Sequence, residues 1–133
     1  MKYIVDTNIA IAMLAQRQQI TQRLSGVPAS ELGLPVLVVA ELLFGAHRST
    51  RVQENVARVH ALEARFPVLP VTRQVAEHYA VVRASLVGRG IAKGDLDLLI
   101  ACTALDQGAT LVTNDAALKD GTISHLVVED WLS

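Results

Sequence analysis

Five short apolar runs, Tyr3-Ile4-Val5, Leu34-Pro35-Val36, Val68-Leu69-Pro70-Val71, Thr110-Leu111-Val112 and Leu126-Val127-Val128, punctuate a chain whose intervening stretches carry apolar residues at helical spacing. Runs this short and without polar alternation fit strands buried on both faces. Strands separated by helices run parallel and are joined by right-handed crossovers. The expected fold class is therefore α/β: a parallel sheet of about five strands with helices on both faces, in one domain over residues 1–133. A chain of 133 residues can bury a sizeable core unaided.

Periodicity and end signals place the helices. Thr7-Asn8 can cap a helix carrying Ile9, Ala12 and Met13, and a second short helix carries Ile20 and Leu24. A helix is expected from about Val38 to His47, and another over Arg51 to Phe66 with Val52, Val56, Val59 and Leu62 on one face. Thr72 is placed to cap a long helix bearing Val75, Tyr79, Val82 and Leu86, which Gly88 and Gly90 stop. The last long helix runs from Asp95 to Gln107, with acids in its first turn and Gly108 at its close.

Against this apolar background four carboxylates stand out. Asp6 and Asp115 each follow an apolar strand, so both should emerge at the carboxyl edge of the sheet, where open α/β sheets build binding sites. Glu41 lies in Val38-Val39-Ala40-Glu41-Leu42-Leu43-Phe44, where a lone buried charge would cost several kcal/mol. Asp97 precedes Leu98-Leu99-Ile100-Ala101 in the same manner. Crowded carboxylates raise one another's pKa, and a divalent cation relieves the repulsion while attracting phosphate oxygens. Oxygen-only donors favour magnesium, with manganese as a substitute, over zinc. Such a site suits phosphodiester hydrolysis by an activated water and needs no covalent nucleophile.

Each acid also has an ordinary structural use. Asp6 can cap the helix after it, Glu41 can face solvent, and Asp115 can shape an Asn-Asp turn. Asp95 reads as a helix cap, leaving Asp97 as the inward ligand. Thr7, Asn8, Thr113 and Asn114 can orient the carboxylates from behind, or serve only in caps and turns. The four histidines have no metal-ligand spacing, and Cys102, the only cysteine, sits in a helical apolar pattern as a small buried hydrophobe. That single cysteine excludes an internal disulfide and a thiolate-rich metal centre.

Charge narrows the function further. Twelve basic and thirteen acidic residues give a formal net charge of −1, so no global positive field draws in nucleic acid. A polyanion would depend on metal and on local cations, for which Arg48, Arg51, Arg58, Arg89 and Lys93 are the candidates. Met1-Lys2 leads straight into the first apolar run without a signal-peptide pattern. The longest apolar run, around Leu34 to Phe44, is broken by Pro35 and Glu41 and is too short for a bilayer. The expectation is a cytoplasmic protein with no membrane association.

Taken in order, Ile4-Val5-Asp6-Thr7-Asn8, Val39-Ala40-Glu41-Leu42-Leu43-Phe44-Gly45-Ala46, Asp97-Leu98-Leu99-Ile100-Ala101-Cys102-Thr103-Ala104 and Leu111-Val112-Thr113-Asn114-Asp115 resemble the motifs of PIN-domain nucleases, specifically VapC-type toxins. The resemblance spans essentially the whole chain. It implies a magnesium- or manganese-dependent endoribonuclease of a type II toxin–antitoxin pair, inhibited by a VapB-type antitoxin. It further implies a homodimer, a five-stranded parallel sheet, and transfer or ribosomal RNA as substrate. The family's acidic residues map onto Asp6, Glu41, Asp97 and Asp115. Two departures are Asp95, an additional carboxylate beside Asp97, and Cys102 where alanine is usual. The alternatives are a PIN-domain nuclease of RNA processing without an antitoxin, a catalytically silent PIN-like binding subunit, and a magnesium-binding receiver-like signalling module. The third strand offers a receiver no acceptor aspartate.

Overall fold

The computed structural model describes residues 1–133. Its strands are β1 (Tyr3–Val5), β2 (Leu32–Pro35), β3 (Val68–Leu69), β4 (Thr110–Val112) and β5 (Val128–Glu129). They form one sheet in the order β3-β2-β1-β4-β5, with every pairing parallel. The helices are α1 (Thr7–Leu14), α2 (Gln18–Leu24), α3 (Val36–His47), α4 (Val52–Arg65), α5 (Arg73–Gly88), α6 (Asp95–Gln107) and α7 (Ala116–Lys119).

Strand order reverses at β1. The chain steps from β1 outward to β2 and β3, then crosses back through α5 and α6 to place β4 on the other side of β1. With right-handed crossovers this puts α1 to α4 on one face and α5 and α6 on the other. The packing agrees, since α3 rests on α4 and α1 while α5 rests on α6. The carboxyl ends of β1 and β4 therefore lie side by side at the switch point, the place where open α/β sheets build binding sites. A receiver-type sheet has the order 2-1-3-4-5, so the receiver-like alternative fails on topology.

The central strands explain why these residues make a sheet at all. Ile4, Val5, Leu111 and Val112 are fully buried, and the core continues through Ile9, Leu34, Val38 and Ile100. Gly33 in β2 is the one glycine that close approach requires. A Cβ there would come within 2.6 Å of Ile4 Cδ1 and 2.7 Å of Leu69 Cδ1. Gly108 closes α6 in the left-handed conformation at φ 59°, the cap expected of it.

Several boundaries differ from the sequence reading. β2 runs over Leu32–Pro35 rather than Leu34–Val36, because Gly33 interrupts the apolar run that marks a strand while still pairing with Ile4. α3 consequently begins at Val36. β5 is shifted to Val128–Glu129, since His125 turns the chain at φ 67° and Val127 faces solvent. A short 3-10 turn at Ala29–Glu31 and the one-turn helix α7 carry no periodic signal, being too short for an apolar position to recur.

Candidate active site

Asp6 leaves the end of β1 and caps α1, with Oδ1 accepting from the Thr7 N–H at 2.8 Å. Its other oxygen accepts from the Thr113 hydroxyl at 2.7 Å. Asp6 is only 4 % exposed and Thr113 is fully buried. The same Thr113 oxygen accepts the Asp115 N–H at 3.0 Å, so one hydroxyl links the acids that follow β1 and β4. Asp115 then caps α7, with Oδ1 accepting from the Ala117 N–H at 2.8 Å. The capping and site readings of Asp6 and Asp115 do not compete, because a carboxylate offers about four lone-pair sites and capping takes one.

Glu41 comes from the middle of α3 and is half-buried rather than enclosed, its neighbour Phe44 being 70 % exposed. The cost of a buried lone charge that its apolar flanks implied is thus reduced. Its Oε1 accepts from the Thr7 hydroxyl at 2.7 Å. Asn8 donates to Asn114 at 3.2 Å, tying together the turns that follow β1 and β4. Thr7 and Thr113 therefore hold carboxylates directly, whereas Asn8 and Asn114 hold each other.

Asp97 lies in the first turn of α6 and feels all three of the other acids. Its carboxyl is pushed above the ordinary carboxylate range, first by burial and then by the negative charges of Asp6, Asp115 and Glu41, with Lys93 pulling the other way. Carboxylates far apart in the sequence thus share one electrostatic field. No three of them stand close enough to grip one ion unaided. The set therefore does not resemble an all-protein cage. By donor chemistry, four carboxylates with lone pairs to spare suit a hard cation that keeps several of its waters, as magnesium does.

Asp95 is differently placed. The N-cap of α6 is Gly94, and Asp95 does not cap the helix as the sequence had indicated. It accepts instead from the Tyr79 hydroxyl at 2.7 Å, with Arg83 3.8 Å away, both on α5. That partner 16 residues upstream draws Asp95 to the α5 side of the helix. Sequence spacing alone could not reveal it.

Most of the basic candidates are engaged with other partners. Arg51 pairs with Glu54, Arg89 donates to the Thr122 carbonyl, and Lys93 is taken by Asp120. Arg58 borders Glu41, lining a groove of about 200 Å³ together with Ile11, Leu14 and Leu42. Cys102 is fully buried and its thiol is pushed up to about 11, which leaves it protonated and unreactive.

The PIN-domain family model matches residues 3–122. The chain belongs to the PIN-domain family. Within that family its relatives are VapC proteins. Ribonuclease VapC1 of Haemophilus influenzae is 32 % identical over 133 residues, covering 98 % of each chain. The tRNA(fMet)-specific endonuclease VapC of Salmonella typhimurium is 28 % identical over 131 residues, again covering 98 % of each. The solved structure of VapBC-1 from nontypeable Haemophilus influenzae matches this PIN domain with a TM-score of 0.88 and 32 % identity over the whole of both chains. The five-stranded parallel sheet expected of a PIN domain is the sheet observed.

Proposed function

We propose that this PIN domain is the endoribonuclease toxin of a VapBC pair, hydrolysing RNA phosphodiester bonds with the help of Mg2+, or Mn2+ in its place. The observation that carries the reading is the linkage of acids from distant parts of the chain, the Thr113 hydroxyl bonding Asp6 and the Asp115 N–H while the Thr7 hydroxyl bonds Glu41, with Asp97 near enough to feel all three. These four residues would hold the cation. When bound, it supplies Lewis acidity toward phosphoryl oxygens and makes a water acidic enough to attack at neutral pH.

The chain's own residues supply placement. Thr113 and Thr7 fix the orientation of Asp6 and Glu41, which otherwise would each lose rotamer freedom on engaging a ligand. No side chain is set up as a nucleophile: the two threonine hydroxyls donate to carboxylates, and the Cys102 thiol is buried and protonated. Repulsion among the four acids disfavours a polyanionic substrate until the cation is present, so metal and RNA binding are coupled.

The name of the Salmonella relative makes transfer RNA the first substrate to test, with ribosomal RNA second. The Haemophilus relative is solved as VapBC-1, which supports a VapB-type antitoxin as partner here. The groove beside Glu41 offers apolar walls and one arginine to such a segment. Val36 and Phe44, exposed on α3, support a homodimer that covers them. No helix is long and apolar enough to cross a membrane, which is compatible with the cytoplasmic location proposed for the pair.

The deciding experiment incubates the purified protein with total RNA under three conditions: with Mg2+, with Mg2+ and excess chelator, and with Mg2+ using Asp97→Asn. Cleavage in the first alone supports the reading. Equal cleavage in all three would place the activity elsewhere or in a contaminant. Inspection of the adjacent reading frame for a short DNA-binding protein tests the antitoxin claim separately, and its absence would favour an RNA-processing nuclease.

A further inference from the structure

Lys93 precedes α6 by two positions and Asp97 by four, yet its side chain is only 2 % exposed. A buried ammonium is costly unless fully paired. Its Nζ donates to Asp120 Oδ2 at 2.8 Å and to the carbonyl of Ala117. Ala117 lies in α7 and Asp120 is the residue that ends it. The N–H of that same Ala117 is held by Asp115. One peptide segment is therefore gripped from both sides, by Asp115 at its head and by Lys93 from the neighbouring loop.

A helix of four residues cannot hold its own position, because isolated helices shorter than about 12–15 residues are marginal in water. The place of α7, and with it the place of Asp115, is set by what it is fastened to. Leu118 enters the core at 2 % exposure, and Lys119 pairs with Asp130 at 2.6 Å. Lys93 is the tie that runs toward α6. The Asp120 carboxyl is held well below the usual range, first by its bond from Lys93 and then by Thr122. The Asp120 carboxyl is therefore ionised at neutral pH and accepts from Lys93 as a carboxylate.

We infer that Lys93 is a positioning residue, which fixes Asp115 relative to Asp97 by clasping the Ala117 carbonyl and the Asp120 carboxylate. The inference rests on the metal-site reading proposed above. It makes a prediction opposite to that of simple charge. Removing a cation whose charge reaches Asp97 strengthens the pull of the acids on a divalent ion, so on charge alone Lys93→Met would bind metal more tightly. If the clasp places Asp115, the same change loosens the site and binding weakens. Residues that orient ligands from behind typically cost 10–100-fold in metal affinity when lost.

Asp120→Asn gives an independent arm. Its carbonyl oxygen can still accept from the Thr122 N–H and hydroxyl, which now bind Asp120 Oδ1 at 3.0 and 2.6 Å. The amide nitrogen at the other position cannot accept from Lys93. The experiment is titration of the whole protein with Mn2+ by calorimetry, on wild type, Asp97→Asn, Lys93→Met, Asp120→Asn and the double variant, with thermal melts to establish folding. The expected result is about tenfold or greater weakening in each clasp variant, with the double variant no weaker than the worse single one. Should Lys93→Met fail to fold, Asp120→Asn alone decides. Unchanged or tighter Mn2+ binding in a folded clasp variant, or additive effects, would overturn the inference while leaving the metal site standing. If Asp97→Asn binds Mn2+ as wild type does, the metal-site reading itself fails, and the role of Lys93 with it.

Discussion

The Thr113 hydroxyl donates to Asp6 Oδ2 at 2.7 Å across a separation of 107 residues, and both groups are buried. This bond joins the ends of the two central strands. It also accounts for how a carboxylate can sit 4 % exposed in an apolar core, since no buried side-chain oxygen or nitrogen in the chain lacks a partner. Thr113→Val keeps the shape and removes both the donor to Asp6 and the acceptor of the Asp115 N–H. Leaving a buried polar group unsatisfied costs about 1–3 kcal/mol. Urea denaturation should show a loss of that size, whereas Thr113→Ser, which keeps the hydroxyl, should lose about 1 kcal/mol or less from the missing methyl group. A loss in Thr113→Ser with none in Thr113→Val would mean that the methyl, not the hydroxyl, matters.

Asp97 gives a pH dependence whose sign is fixed by its surroundings. Its folded-state pKa lies above the ordinary value, so the folded protein holds this proton more tightly than the unfolded chain does. The associated stability is present below the ordinary carboxylate pKa and is lost as pH rises through the raised value. At neutral pH the ionised group is therefore a liability in metal-free protein. Asp97→Asn should melt higher than wild type at pH 7 in chelator, and the gap should close as the pH is lowered through the carboxylate range. Added Mg2+ should raise the wild-type melting temperature and leave the variant's nearly unchanged, by mass action on the folded state. A variant that melts lower at neutral pH in chelator would contradict the repulsion.

The legible part of this molecule was the part written in contiguous residues. β1, β4 and α6 are each a single unbroken pattern, and Asp6, Asp97 and Asp115 follow from them by position alone. Glu41 was identifiable by its apolar neighbours, though for a reason that proved only half right: α3 turns Phe44 to solvent and leaves Glu41 at the rim. What could not be read depended on partners distant in sequence. Nothing in Ala92-Lys93-Gly94 marks a lysine whose partners lie 24 and 27 residues on, and nothing near Asp95 names Tyr79. Gly33 carries no mark in the sequence because its value is the absence of a side chain between Ile4 and Leu69.

Cys102 offers a test of the interior rather than of the site. It is fully buried and its thiol is held near 11 by burial, so at pH 8 almost none is thiolate. A disulfide-exchange reagent should leave the native protein unmodified for as long as it stays folded, and should titrate one thiol after addition of denaturant. Cleavage activity should be the same before and after exposure of the folded protein to the reagent. Rapid native-state labelling would show that α6 opens, and that its Asp97 is less firmly held than its packing implies.

Two carboxylates in one helical turn separate the structural from the chemical role, because they face different neighbours. Asp95 lies against Tyr79 and Arg83 of α5, whereas Asp97 lies in the field of Asp6, Asp115 and Glu41. Asp95→Asn removes a charge but leaves an amide that can still accept from the Tyr79 hydroxyl. It is two-thirds exposed, so little stability rests on its ion pair. Its RNA cleavage rate should stay within about twofold of wild type, a difference of roughly 0.4 kcal/mol in barrier. Asp97→Asn should cut the rate by about a hundredfold or more, since it removes a carboxylate expected to hold the cation directly. Measured on one RNA at saturating Mg2+, the two variants should thus differ by well over tenfold. The reverse order, with Asp95→Asn inactive and Asp97→Asn active, would require α6 to be rotated in the working enzyme so that its first acid enters the site.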